Sequence, residues 1–184
     1  RDRTKTRFQQ LSDLNIEFFE SAKKSLLDPL ALDLANDVKW VKLNRNWNYL
    51  KFPVVIGGEG QPILLLHGFD SSFLEFRRIY PSLKKNFQVI VPDLLGFGFS
   101  PRCATYEYKP SKIISYLIDI IETLKIKNNL KVIGASMGGS TALKLAYEIQ
   151  ISIYKIILLS PSVLFLDPKS IPFPLNQIGA SFLG

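Results

Sequence analysis

One cysteine, one histidine and one methionine stand among 184 residues. A single thiol, Cys103, cannot close a disulfide within the chain, so a cross-linked framework is excluded and a reducing compartment is expected, either the cytoplasm or an organelle stroma. One histidine and one cysteine also fall short of the ligands of an ordinary zinc site, and neither a metal nor a cofactor is expected. Long apolar runs are missing as well. Residues 63–66 and 156–159 have strand length, far below the ~18 apolar residues that cross a membrane, and no secretory segment opens the chain.

Charge is modest too. At 21% charged and 47% apolar, with 13 Phe and 7 Tyr, the chain is too apolar to be dominated by disorder, and its length suits one domain. The net charge of +7 suggests a nucleic-acid partner until its distribution is read: residues 1–56 carry 10 basic and 7 acidic side chains, and residues 57–184 carry 13 and 9. The excess is spread evenly, apart from Arg1, Arg3, Lys5 and Arg7, which read as a solvated end. No nucleic-acid partner is expected.

What is present is an alternation. Residues 8–35 have helical periodicity, interrupted where Pro29 follows Asp28, and form a helical extension over residues 1–37 whose apolar face could also touch a membrane surface. Residues 38–56 are rich in aromatic and β-branched side chains and read as two strands joined by a turn at residues 44–46. From Gly57 onward, apolar strands at residues 61–66, 88–91, 130–134 and 154–159 alternate with helices expected at 72–85, 111–124 and 138–149. Pro110 suits the first turn of the middle helix. This order indicates an α/β fold, a mostly parallel sheet with helices on both faces, in residues 38–184. In such sheets the reactive site lies beyond the carboxyl ends of the strands, so the loops after Leu66, Val91 and Ile133 matter most.

The third loop reads Gly134-Ala135-Ser136-Met137-Gly138-Gly139, a G-x-S-x-G between a strand and a helix. A sharp strand-to-helix turn lifts the serine hydroxyl above the sheet, and crowding two residues either side favours Gly134 and Gly138. The Met137 amide at the helix start faces a developing negative charge favourably. The first loop, His67-Gly68-Phe69, brings its backbone near the elbow, where the Phe69 amide serves as a second oxyanion donor. His67 is read as holding that loop, with the general base coming from elsewhere. In the second loop Asp93 is read as pinning the Gly-rich run 96–100 through local backbone hydrogen bonds. The Gly96-Phe97-Gly98 start of a dinucleotide fingerprint fails, since Pro101 stands where its third glycine belongs. Phe69, Phe73, Phe97, Phe99 and Met137 near these loops suggest a small-molecule substrate with an apolar acyl group or ring.

H-G-F after one strand, D-L-L-G-F-G-F-S after the next and G-A-S-M-G-G after the third resemble the α/β-hydrolase superfamily over residues 40–166, most closely its esterase, lipase and meta-cleavage-product hydrolase-like branch. The resemblance implies a nucleophile at Ser136, an oxyanion hole at Phe69 and Met137, structural support from His67, Gly68, Asp93, Gly134 and Gly138, and hydrolysis of an ester or related acyl bond. It also implies a triad acid and then a histidine after the serine. Glu148 and Asp167 follow Ser136, neither at the end of a later strand, and no histidine follows at all. The expectation is therefore a longer protein, cut soon after a cap segment begins near residues 164–166, with later sheet strands missing and no turnover by these 184 residues alone. Two other readings share the fold: a binding protein that lost its base, and an acyltransferase or cofactor-free peroxidase.

Overall fold

A computed structural model describes residues 2–43, 47 and 50–162. The turn expected at residues 44–46, Asp167 and the expected start of a cap lie outside these residues. Helix α1 spans Asp2–Lys24 and α2 spans Pro29–Asn36. The restart between them has a local cause: Asp28 caps α2, its Oδ1 accepting the Leu30 N–H at 2.9 Å, and Pro29 takes a first-turn position where its missing N–H costs nothing. Strands β1 (Val38–Lys42), β2 (Lys51–Gly57) and β3 (Gln61–Leu66) follow. After a 3-10 turn at Phe73–Phe76 and the short helix α3 (Tyr80–Leu83) come β4 (Phe87–Pro92), α4 (Pro110–Thr123), β5 (Leu130–Ala135), α5 (Met137–Glu148) and β6 (Ile153–Leu159).

The single helix expected over 72–85 is thus two short pieces. Pro81 supplies no N–H for the helical ladder, so a continuous helix cannot pass through it. The first piece is a 3-10 turn capped by Ser72, and its free Phe73 N–H donates to the Asp93 carboxylate. The proline is a signal within the sequence that the apolar periodicity of 72–85 masks.

Among the described residues the strands form one sheet in the order β1-β2-β4-β3-β5-β6. Strand β2 runs antiparallel to both neighbours, whereas β4, β3, β5 and β6 are mutually parallel where they pair. Side chains alternate across the sheet. On β3, Leu64 and Leu66 enter the cluster under α4 and α5, and Ile63 and Leu65 enter the opposite one. The first cluster takes the α4 stripe Ile113, Ile114, Leu117, Ile120 and Ile121, spaced to fall on one helical face. The second is closed by Phe19 of α1, Leu34 and Ala35 of α2, and Phe73, Phe76 and Tyr80. Helix α2 is fastened there by Tyr80, whose hydroxyl donates to Asp37 at 2.5 Å, and by Lys84, which lies 2.8 Å from Asp33. With both faces covered, the carboxyl ends of β3, β4 and β5 open onto a common rim.

Candidate active site

The turn from β5 into α5 is the most constrained point of that rim. Ser136 has φ 51° and ψ −117°, a left-handed conformation that favours glycine, and its side chain is exposed. The conformation is enforced by backbone crowding. A Cβ on Gly138 would overlap the Leu66 carbonyl and lie 2.7 Å from that of His67, so α5 touches the end of β3 backbone to backbone. A Cβ on Gly134 would overlap the Gly138 carbonyl. Only glycines allow strand and helix to close this tightly. The Ser136 N–H donates to Leu159 O at 2.9 Å, and its carbonyl accepts the N–H groups of Gly139 and Ser162. Met137 is the first residue of α5, where amide N–H groups have no partner inside the helix.

The loop after β3 lies directly against this turn. A Cβ on Gly68 would stand 3.4 Å from Ser136 Cβ and 3.7 Å from Ala135 O. His67 is fully buried. The Leu94 N–H can only donate, so it makes Nε2 an acceptor at 2.9 Å and leaves the ring proton on Nδ1, which donates to Gly68 O at 2.8 Å. Burial holds the His67 pKa below its ordinary value, against opposing contributions from the Gly68 hydrogen bond and the Glu75 charge, and the ring is neutral. Its 4.0 Å approach to Asp93 Oδ1 is therefore no ion pair, because Nε2 bears no proton. Both nitrogens are occupied, and the ring has no free nitrogen to offer a serine.

Asp93 is equally buried and ties three segments together. Oδ1 accepts the Phe73 N–H and Oδ2 the Phe99 N–H, each at 2.6 Å. Its backbone carbonyl accepts the hydroxyls of Ser100 and Tyr116, each at 2.9 Å. Desolvation pushes its pKa up to about 7, opposed by the two amide donors and by Arg102. The carboxylate thus pins the loop 93–100, and it also fixes the 3-10 turn twenty residues earlier.

A cavity of about 260 Å³ adjoins the elbow, lined by Phe69, Phe97, Met137, Tyr108, Ile113 and Lys144 among others. Phe69 is exposed and packs edge-on against Phe97, with ring centroids 5.4 Å apart. Phe73 and Phe99 do not line it. Phe73 is fully buried and stacks on Phe99 at 5.7 Å, because both amides are drawn to Asp93 and their rings turn toward the Phe19 side of the sheet. Of the five residues read as substrate-facing, three border the cavity, Phe73 is core and Phe99 is half-buried against it.

A sequence profile of the alpha/beta hydrolase fold family matches residues 61–184. The chain belongs to that family. It is 30% identical over 145 residues to the cis-3-alkyl-4-alkyloxetan-2-one decarboxylase of Shewanella oneidensis, an alignment covering 77% of this chain and 45% of that protein. With the 2-hydroxymuconate semialdehyde hydrolase of Pseudomonas sp. strain CF600 it shares 28% over 123 residues, or 65% and 41% of the two chains. Among solved structures, an esterase from Exiguobacterium antarcticum superposes with a TM-score of 0.62 at 26% identity, over 79% of this chain and 53% of that one. A mutant meta-cleavage product hydrolase gives 0.61 at 28%, over 67% and 45%. The chain spans less than half the length of the two curated relatives.

Two contributors to this α/β-hydrolase rim have no signature in the sequence. Tyr116 reaches the Asp93 carbonyl from the middle of α4, where its spacing reads only as another apolar position. Glu75, within the segment expected to be an uninterrupted helix, accepts the Gly68 N–H at 2.8 Å.

Proposed function

We propose that the natural protein is a serine hydrolase that cleaves an ester or related acyl bond of a small molecule, with Ser136 as nucleophile. The observation that carries this reading is the strained, exposed Ser136 at φ 51°, gripped between Gly134 and Gly138 at the start of α5. Holding a side chain in so restricted a conformation costs of order 1–3 kcal/mol, and an ordinary turn gains nothing from it. In the proposed reaction Ser136 Oγ attacks the acyl carbonyl, and the Oγ proton passes to a general base that the described residues do not supply. The carbonyl oxygen becomes an oxyanion and accepts hydrogen bonds from the amides of Met137 and Phe69. His67, Gly68 and Asp93 hold the surrounding loops. The apolar lining beside Phe69 and Met137 supports an apolar acyl group or ring as the part of the substrate nearest the elbow. One relative is named a decarboxylase, so membership of the family does not by itself confine the chemistry to ester hydrolysis.

The test is Ser136→Ala in the natural protein. Turnover of p-nitrophenyl esters should fall by at least ~10³-fold, and covalent labelling by a fluorophosphonate should disappear. Labelling at the wild-type level in that variant would overturn the reading.

A further inference from the structure

We propose that Glu75 is a positioning residue for this hydrolysis: together with His67 it clamps Gly68 and so aims the Phe69 amide into the space above Ser136. The proposal rests on the hydrolase reading and adds the device that orients one of its two oxyanion donors.

Two peptide units flank Gly68, and each is held by a different side chain. The unit before it is fixed through its N–H, which donates to Glu75 Oε2 at 2.8 Å. The unit after it is fixed through its carbonyl, which accepts from His67 Nδ1 at 2.8 Å. A trans peptide is planar and points its C=O and N–H in opposite directions. Drawing the Gly68 carbonyl toward His67 therefore turns the Phe69 N–H away from the buried ring. A glycine alone could not keep that orientation, because its φ and ψ are the freest of any residue. A Cβ at position 68 would lie 3.4 Å from Ser136 Cβ and 3.6 Å from Glu75 Oε2, ordinary contact distances, so hydrogen bonding rather than crowding fixes this backbone. The backbone at Gly68 is free in itself, and two side-chain hydrogen bonds remove that freedom.

Glu75 is well placed to act as a fixed post although it is exposed. It belongs to the 3-10 turn at Phe73–Phe76, where its own N–H donates to Ser72 O at 3.0 Å. Ser72 Oγ caps the turn by accepting the Leu74 N–H at 3.2 Å, and Asp93 takes the Phe73 N–H. Phe73 and Phe76 anchor the turn in the core. The chain of restraint runs from the core through the turn to Glu75, then to Gly68 and the Phe69 amide. A group needed only for solubility at this exposed position would not require a turn pinned on three sides.

The experiment compares Glu75→Leu, Glu75→Gln and Ser136→Ala in the natural protein, using p-nitrophenyl ester kinetics, amide hydrogen exchange at Gly68 and thermal unfolding. Glu75 is exposed, so its replacement leaves no void in the core. Glu75→Leu removes the acceptor and should lower kcat by about 10- to 100-fold with KM within about twofold, the pattern of an interaction made in the transition state. Exchange at Gly68 should accelerate. Glu75→Gln keeps an acceptor oxygen and should stay within about threefold of wild type in kcat, with Gly68 still protected. Wild-type kcat in Glu75→Leu overturns the proposal. Equal losses in Leu and Gln, or a loss confined to KM, overturn it too, since neither follows from a hydrogen bond that aims an oxyanion donor. If Glu75→Leu unfolds, Glu75→Ala is read in the same way. Full turnover by Ser136→Ala would instead remove the hydrolase reading itself, and its loss alongside an unaffected Glu75→Leu would remove only the clamp.

Discussion

The two loops that meet at Ser136 are held in opposite ways. The elbow, residues 134–138, is shaped by backbone against backbone: Gly138 abuts the carbonyls at the end of β3, and Gly134 abuts Gly138. The facing loop, from His67 to the 3-10 turn, is shaped by side chains that reach for backbone groups, with Glu75 on the Gly68 N–H, His67 on the Gly68 carbonyl and the Leu94 N–H, and Asp93 on the Phe73 N–H. Steric crowding gives the first loop one conformation, including a strained serine. Directed hydrogen bonds give the second its conformation, with no positive φ at Gly68, although Asp70 in the same loop has φ 53°. The elbow should therefore fail abruptly when atoms are added, whereas the facing loop should fail gradually when acceptors are removed.

The largest effect should come from Gly138→Val. Its side chain cannot coexist with the Leu66 carbonyl, so α5 must separate from β3, and overpacking of this kind costs about 3 kcal/mol or more. Urea unfolding of the natural protein should show a matching drop in midpoint together with loss of ester turnover. A variant as stable as wild type would show that crowding does not set the elbow.

Asp93 is the corresponding weak point of the side-chain-held loop. In Asp93→Ala the amides of Phe73 and Phe99 lose their buried acceptor, and each unsatisfied group costs roughly 1–3 kcal/mol. Asp93 also carries a pH signature. Its folded pKa, about 7, lies above the ordinary 3.8, so between these values the folded state holds a proton that the unfolded state has released. The Asp93 contribution to stability is therefore full below about pH 4 and falls as pH rises toward about 7. His67 contributes the opposite slope, because its lowered pKa costs stability as pH falls through the ordinary value of 6.5. Unfolding midpoints measured from pH 4 to 8 should fall with acidification more steeply in Asp93→Asn than in wild type. Parallel curves for the two proteins would refute the assignment.

The smallest effect separates strain from function at the elbow. Ser136→Gly and Ser136→Ala both remove the hydroxyl, but glycine tolerates φ 51° where alanine does not. Ser136→Gly should be the more stable of the two by about 1 kcal/mol in thermal unfolding, with neither turning over esters. Equal midpoints would mean that the turn stores no strain at Ser136.

The alternation of apolar strands with helices, the restart at Asp28-Pro29 and the G-x-S-x-G turn were all legible in the sequence. The reason is range. A cap and its helix, or a serine and the glycines two positions away, act within a few residues, so their physics leaves a local pattern. Pro81, a local signal, accounts for the break within 72–85. Tertiary structure alone decided that Phe73 is core with Phe99 half-buried against it while Phe69 and Phe97 border the cavity, and that Glu75 faces Gly68. Those outcomes depend on donors and acceptors far apart in the chain, such as Leu94 on His67 across 27 residues and Tyr116 on Asp93 across 23. No periodicity encodes such pairs; they form only once the sheet has brought the carboxyl ends of β3, β4 and β5 to one rim.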